Sequence, residues 1–400
     1  MGISGRGVFF MGTVKLVFAS DLAPIRKFAA VMKDEPAAVY GDLLTRFADA
    51  DRRIVNLESP LCGGNDFIVK SGAAFTGEPE HVLSLTAAGF DTAVCANNHA
   101  FDRGEEGFFL TRDLLAGNNI SCVGAGKDLE EARRPLTIRE KGVKIGIFTI
   151  SEGEDMLGAG ENSPGVRPWE PEALAAQIRA AREDFDVILV SAHCGLEYQP
   201  FPSFYVYQSF RLWAEAGADM IIGHHPHVPQ GRTFFGKTPA YFSLGNFVFY
   251  QPTDLLYRKI GYFLEIEADK SGIVAHRPVP YRIGDTGLRL LTGLESERFA
   301  SLFKRLSAPL KDPSGALEAW HAVLAYNGVT GFERELEKIL AALRATPEKG
   351  AAMLRNRVTC IQHFSQWIDG TSRIMTGTIS RAPEELILTV KAFMEERTGK

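Results

Sequence analysis

At five places along this chain, residue types that bind hard or borderline metal ions follow directly on apolar runs of strand length. VKLVFAS (14–20) runs into Asp21, RIVNL (53–57) into Glu58, and DTAVCA (91–96) into Asn97, Asn98 and His99. DVILVSA (186–192) runs into His193, and ADMIIG (218–223) into His224, His225 and His227. In an open α/β sheet, ligands bind outside the carboxyl ends of the strands. A chain that puts Asp, Glu, Asn and several His there is assembling one convergent site. Each element alone says less, since a single His after a strand is often structural and an Asp or Glu there often caps a turn. The most specific is GHHPHVPQG (223–231). Pro226 is expected to push His225 toward an extended conformation. Residues i and i+2 of an extended segment face the same way, so His225 and His227 can meet one metal. Asn98 can offer its carbonyl oxygen to a metal, His99 beside it can donate a proton, and Asp102 follows. Mixed Asp, Glu, Asn and His ligands suit Mn²⁺, Fe²⁺ or Zn²⁺ over Mg²⁺ or Ca²⁺, which prefer all-oxygen shells.

The elements that must position these residues are legible in the same way. The runs above, with VKIGIFTI (143–150), are rich in Val, Ile and Phe and nearly continuous in apolarity, as expected of strands buried on both faces of a parallel α/β sheet. PEALAAQIRAARED (171–184) starts with Pro and acidic residues and carries apolar positions at helical spacing. EPEHVLSLTAAG (78–89) ends on a glycine suited to a C-cap. Such alternation predicts right-handed βαβ units. Beyond about residue 290 the pattern turns helical throughout, and Leu354, Val358, Ile361 and Trp367 are expected to share one apolar stripe. The expected division is a domain over 11–285 followed by a helical region over 290–400.

Bulk properties narrow the function classes. The 400 residues, with 45% hydrophobic and 23% charged, have an ordinary globular composition. A formal net charge of −5 argues against a nucleic acid or anionic membrane partner, which call for a basic face. It leaves open an anionic substrate held by metal charge. No stretch of about 18 apolar residues is present to span a bilayer. The run Gly7–Ser20 reads as a buried strand, interrupted by Lys15 and without a cleavage pattern, and Met11 is a candidate start. Cys62, Cys95, Cys122, Cys194 and Cys360 have no paired spacing and read as reduced thiols of a cytoplasmic protein. His81, His276, His321 and His363 read as structural or exposed. GAGK (124–127) lacks P-loop spacing. Nothing in the sequence sets an oligomeric state.

With these residues in view, the chain resembles the poly-γ-glutamate capsule synthesis (CapA) family of the calcineurin-like metallophosphoesterase superfamily. The resemblance runs through NLESP (56–60), FTGEP (75–79), ANNHAFDRGEEG (96–107), HCGLEYQPFPS (193–203), GADMIIGHHPHVPQG (217–231) and YFSLGNFVF (241–249). It implies an α/β metallophosphoesterase-like sandwich of two β-sheets flanked by helices, with a site for two divalent metal ions. By that resemblance Asp21 and His227 look like ligands of the first metal, Glu58 like a bridging carboxylate, and Asn98, His193 and His225 like ligands of the second. His99 resembles the general acid, with Asp102 orienting its imidazole, and Asn246 reads equally as a residue that can reach the site or as a turn asparagine. Two cations about 3.5–4 Å apart can clamp a phosphoryl group and generate a metal-bound hydroxide near neutral pH. The sequence departs from the pattern at Ala23, where the superfamily has a His two residues after the Asp. Glu197 is a candidate to complete that shell. Ser20 and Cys194 are further departures.

Three functions follow as expectations. The first is metal-dependent hydrolysis of a phosphoester. The second keeps the metals and moves the chemistry to an amide of a glutamyl compound or polymer in capsule or peptide biosynthesis. The third is a non-catalytic polymer-binding assembly factor. In each the partner is an anionic small molecule or polymer.

Overall fold

The computed structural model describes residues 12–399, so Met11 and the Gly7–Met11 part of the N-terminal run lie outside the described residues. In chain order the strands are β1 (Val14–Leu22), β2 (Arg52–Leu57), β3 (Thr92–Val94), β4 (Ser121–Val123), β5 (Ala125–Gly126), β6 (Leu136–Glu140), β7 (Val143–Ser151) and β8 (Gly165–Val166). They continue with β9 (Val187–His193), β10 (Met220–His224), β11 (Arg232–Phe235), β12 (Thr238–Tyr241), β13 (Ile260–Asp269), β14 (Gly272–Ile283) and β15 (Leu288–Leu290). One seven-stranded sheet has the order β15-β14-β13-β1-β2-β3-β4, and a six-stranded sheet the order β11-β12-β10-β9-β7-β6.

Within each sheet the strands that carry candidate ligands are parallel: β1 to β2 to β3 in the first, and β9 to β10 in the second. The remaining expectation of a parallel sheet is corrected. β13 and β14 are antiparallel neighbours, as are β6 and β7 and β11 and β12. Reversed strands and the division into two sheets are invisible to apolarity alone, because a strand is apolar on both sides whenever both faces are covered.

Those faces follow from period-two geometry. Leu16 and Phe18 of β1, Ile54 of β2, Ile145 and Ile147 of β7, Leu189 of β9 and Ile222 of β10 meet in the core between the sheets. Their neighbours Val17, Ala19 and Val55 face out, under Phe28, Leu85 and Leu115. Ile188, Val190 and Ile221 face out of the second sheet, under Leu174, Ile178, Phe210 and Trp213. The segment 171–184 is helical over Pro171–Ala181, and 78–89 contains the helix Val82–Ala87 followed by Gly89 at φ 73°, a left-handed stop that glycine adopts without strain.

The C-terminal helices are Gly293–Ser307, Pro313–Ala345, Pro347–Thr359, Ile361–Met375 and Glu384–Glu395. Leu306, Trp320, Val323, Val390 and Phe393 of this region lie in the same buried cluster as the facing sheets. The expected single stripe over Leu354, Val358, Ile361 and Trp367 is corrected. The chain leaves helical geometry at Cys360 (φ −86°, ψ 127°), and Leu354 and Val358 stand exposed. The break turns the start of the next helix toward the strand ends.

Candidate metal centre

At the carboxyl ends of β1, β2, β3, β9 and β10, the expected residues come together and are buried. Asp21, Glu58, Asn98, His99, Asp102, His193, His225 and His227 are all inaccessible or nearly so. The His193 Nε2 atom lies 2.9 Å from Asn98 Oδ1 and 3.4 Å from Glu58 Oε1. His225 Nδ1 is 3.1 Å from the same His193 nitrogen. His227 bridges the other half, with Nδ1 3.6 Å from Asp21 Oδ2 and Nε2 3.6 Å from Glu58 Oε1. Three overlapping sets of side chains are near enough to share an ion: Glu58, His193 and His225; Asp21, Glu58 and His227; and Glu197, His225 and His227.

Electrostatics singles out Glu58. Both its carboxylate oxygens are buried and have no hydrogen-bond partner, a costly state for a carboxyl group. Burial, then the charges of Asp21 and Glu197, push its carboxyl well above the ordinary range. Burial likewise keeps His193 well below the usual range, with the neighbouring histidines adding to the effect. Asp21 goes the other way: burial raises it, but His224, His227 and Asn56 outweigh that and hold it low. His225 is raised, because Glu154, Glu197 and Glu152 overcome its desolvation. Lone pairs converge here without enough donors, and a divalent cation is the partner that satisfies such a set.

The local backbone differs from expectation. His225 has φ 95° and His227 φ 56°, so the segment is not extended and the i, i+2 alternation does not operate. A proline restricts the preceding residue mainly in ψ, and here a tight turn wins, with the His225 N–H reaching Asp21 Oδ2 at 3.3 Å. The two imidazoles still lie side by side, ring centroids 5.9 Å apart. Left-handed backbone at non-glycine residues costs roughly 1–3 kcal/mol each and is retained mainly at functional sites.

His99 and Asp102 form the expected pair, with Nδ1 2.6 Å from Oδ2. Lys70, which sequence reasoning missed, is buried and donates to Asp102 Oδ1 at 2.8 Å and to the Asn98 backbone carbonyl at 2.7 Å. Burial raises the Asp102 carboxyl, but His99 and Lys70 outweigh that and hold it low. Burial lowers His99 although Asp102 pulls it up. Asn246 does reach the site, its Oδ1 3.0 Å from His227 Nδ1. Ala23 is buried beside Phe249, and Glu197 approaches His227 Nε2 at 3.8 Å.

Three further residues were not anticipated. Gln362 Oε1 is 3.0 Å from His225 Nε2, and its amide nitrogen donates to Glu154. Glu154 in turn accepts from Asn98 Nδ2 at 2.7 Å. His363, read as structural or exposed, is buried beside this pair: its Nε2 lies 3.1 Å from Gln362 Nε2 and 3.5 Å from Glu154 Oε1.

The family profile described as bacterial capsule synthesis protein PGA_cap matches residues 15–251, more than half of the 400-residue chain. The chain belongs to this family. It is similar to the PGA biosynthesis protein CapA of Bacillus subtilis, 38% identical over 175 residues that cover 43% of this chain and 46% of that protein. A probable polyglutamine synthesis accessory protein of Mycobacterium tuberculosis is 31% identical over 211 residues, covering 49% of this chain and 54% of that one. The chain thus spans about half the length of the relatives it matches. Among solved structures, a putative 5′-nucleotidase from Staphylococcus aureus aligns with TM-score 0.42 and 14% identity, covering 74% of this chain and 58% of that one. A hypothetical protein from Thermus thermophilus aligns with TM-score 0.43 and 15% identity, covering 68% and 100% respectively. These structural likenesses are too loose to carry a functional argument. Within this capsule synthesis family member, every candidate ligand from Asp21 to His227 falls inside the matched residues, whereas Gln362 and His363 fall beyond them. No helix among the described residues is long and apolar enough to cross a membrane.

Proposed function

We propose that this capsule synthesis family member is a metal-dependent hydrolase of the metallophosphoesterase type, acting on a phosphoester. The observation that carries the reading is the Glu58 carboxylate, buried with both oxygens unpartnered between His193 and His227. Asp21, Glu58 and His227 would hold one ion, and Glu58, Asn98, His193 and His225 a second. This donor set suits Mn²⁺, Fe²⁺ or Zn²⁺. When bound, such ions neutralise developing charge on the scissile group and activate water.

The remaining work belongs to the chain's own residues. Asp102 accepts from His99 Nδ1, which fixes the ring and leaves Nε2 as the atom that can deliver a proton to a leaving-group oxygen. Lys70 holds Asp102 in place through its other carboxylate oxygen. The Arg258 guanidinium lies 3.6 Å from the centre of the Tyr198 ring, which stacks on His227. Arg258 donates to the neutral Gln251 amide oxygen at 3.3 Å, a contact that leaves its charge available to an anionic substrate.

A second reading keeps the ions and changes the bond to an amide of a glutamyl compound. The relatives' names, which speak of PGA and polyglutamine synthesis, favour it. Elemental analysis of chelator-free protein beside His225→Ala tests the metal site, with one or two equivalents expected and a clear loss in the variant. Turnover of phosphomonoesters or diesters with Mn²⁺ or Zn²⁺ supports the first chemistry, and release of amino acid from γ-glutamyl peptides the second. Metal-free protein even after reconstitution would move the weight to a polymer-binding role.

A further inference from the structure

The C-terminal helices reach the candidate centre through one pair of side chains. Gln362, in the first turn of the helix Ile361–Met375, is fully buried. Its carbonyl oxygen accepts a hydrogen bond from His225 Nε2–H at 3.0 Å, and its amide nitrogen donates one to Glu154 Oε1. The other Glu154 oxygen accepts from Asn98 Nδ2 at 2.7 Å. The order of donors and acceptors along this path is fixed by Glu154, which accepts from both sides. An imidazole whose Nε2–H is spent on Gln362 keeps its lone pair on Nδ1, the atom 3.1 Å from His193 Nε2. An Asn98 whose amino group is spent on Glu154 must present Oδ1 to the same point, 2.9 Å from that His193 nitrogen. One carboxylate and one amide therefore orient two candidate ligands at once.

The turn that carries Glu154 depends on the same helices. Gly153, Asp155 and Met156 all have left-handed backbone, φ 60°, 57° and 65°, which is strained for the two non-glycine residues. Asn356, at the end of the preceding helix, accepts from the Asp155 N–H at 3.2 Å and donates to Ser71 Oγ at 2.9 Å. The Ser71 hydroxyl and N–H both reach the Asp155 carboxylate. The helices thus pin the turn and supply the amide.

We infer that Gln362, acting with Glu154, is a positioning residue for His225 and Asn98, so that the segment beyond the matched family region completes the metal centre. This rests on the metal-dependent reading above. The test is chelator competition for Mn²⁺ and Zn²⁺ on the full chain, with the Co²⁺ absorption spectrum as a report on the ligand set. Gln362→Leu, similar in volume but unable to hydrogen bond, is expected to weaken affinity by about 10–100-fold. Glu154→Gln is expected to do the same, because it replaces one of the two accepting oxygens with an amino group that faces the donor of Asn98 or of Gln362. The double exchange Glu154→Gln with Gln362→Glu restores every donor–acceptor match along the path at unchanged net charge. It is expected to return affinity to within about 3-fold of wild type and to restore the Co²⁺ spectrum. Loss of affinity in both single variants with recovery in the exchange supports the inference, even where a single variant melts earlier. Single variants that bind like wild type, or an exchange no better than the singles, overturn it. Wild type that binds no metal overturns the metal-dependent reading itself, a result distinct from the other two.

Discussion

The position of Glu58, pushed well above the ordinary carboxylate range by burial and by Asp21 and Glu197, ties the candidate site to stability. In the metal-free chain the unfolded state ionises this group near the ordinary 4.5, while burial holds the proton on to a higher pH in the folded state. Stability from this group is therefore undiminished below that pH and falls as pH rises through the interval up to the folded value. Glu58→Gln removes the penalty. Its metal-free melting temperature is expected to exceed that of wild type at pH 7 and to match it at pH 4, while its metal affinity collapses. Equal melting at both pH values would show that the carboxyl is not penalised. His99→Ala separates chemistry from binding: turnover should fall by about 10²–10⁴-fold with metal content unchanged, and Asp102→Asn should fall in the same direction. At this scale the sequence carried much of the site. Ligand types at strand ends pointed to Asp21, Glu58, Asn98, His193, His225 and His227, which the structure gathers. It did not carry Lys70, Glu154 or Gln362, because none of the three directly follows a strand-length apolar run and their partners are set only by tertiary packing.

Strand β10 shows what one small residue does for an element. Gly223 sits where a Cβ would stand 2.0 Å from the Phe242 carbonyl oxygen, so the chain after β12 passes directly against β10. Gly223→Ala must push that backbone away, and an overpacking cost of about 1–3 kcal/mol is expected from denaturant midpoints. A loss of metal affinity should accompany it, since His224 and His225 follow within two residues. A midpoint unchanged from wild type would mean the neighbouring segment yields freely. Strand existence was legible from apolar runs because both faces of each sheet are covered. Strand direction was not, and neither was the break at Cys360, where β-type torsions interrupt a sequence of helical period with no proline or glycine to mark it.

Across the whole molecule, the core between the sheets extends into the C-terminal helices through Leu306, Trp320, Val390 and Phe393. We propose that the segments 11–285 and 290–400 therefore unfold together. Trp320 is fully buried and donates from its indole to Asp369 at 2.8 Å, so Trp320→Ala should cost about 3–5 kcal/mol. Loss of signal from both segments at a single midpoint is the expected result, and two separated transitions would contradict the proposal. The helical character of this region was plain in its periodicity. Its contact with the strand ends was not, since His225 and Gln362 are 137 positions apart. That separation also has a meaning in time. A ribosome adds about 5–20 residues per second, so on the order of ten seconds pass between synthesis of the histidine and of the glutamine that orients it. Throughout that interval the nascent chain carries His225 without its amide partner.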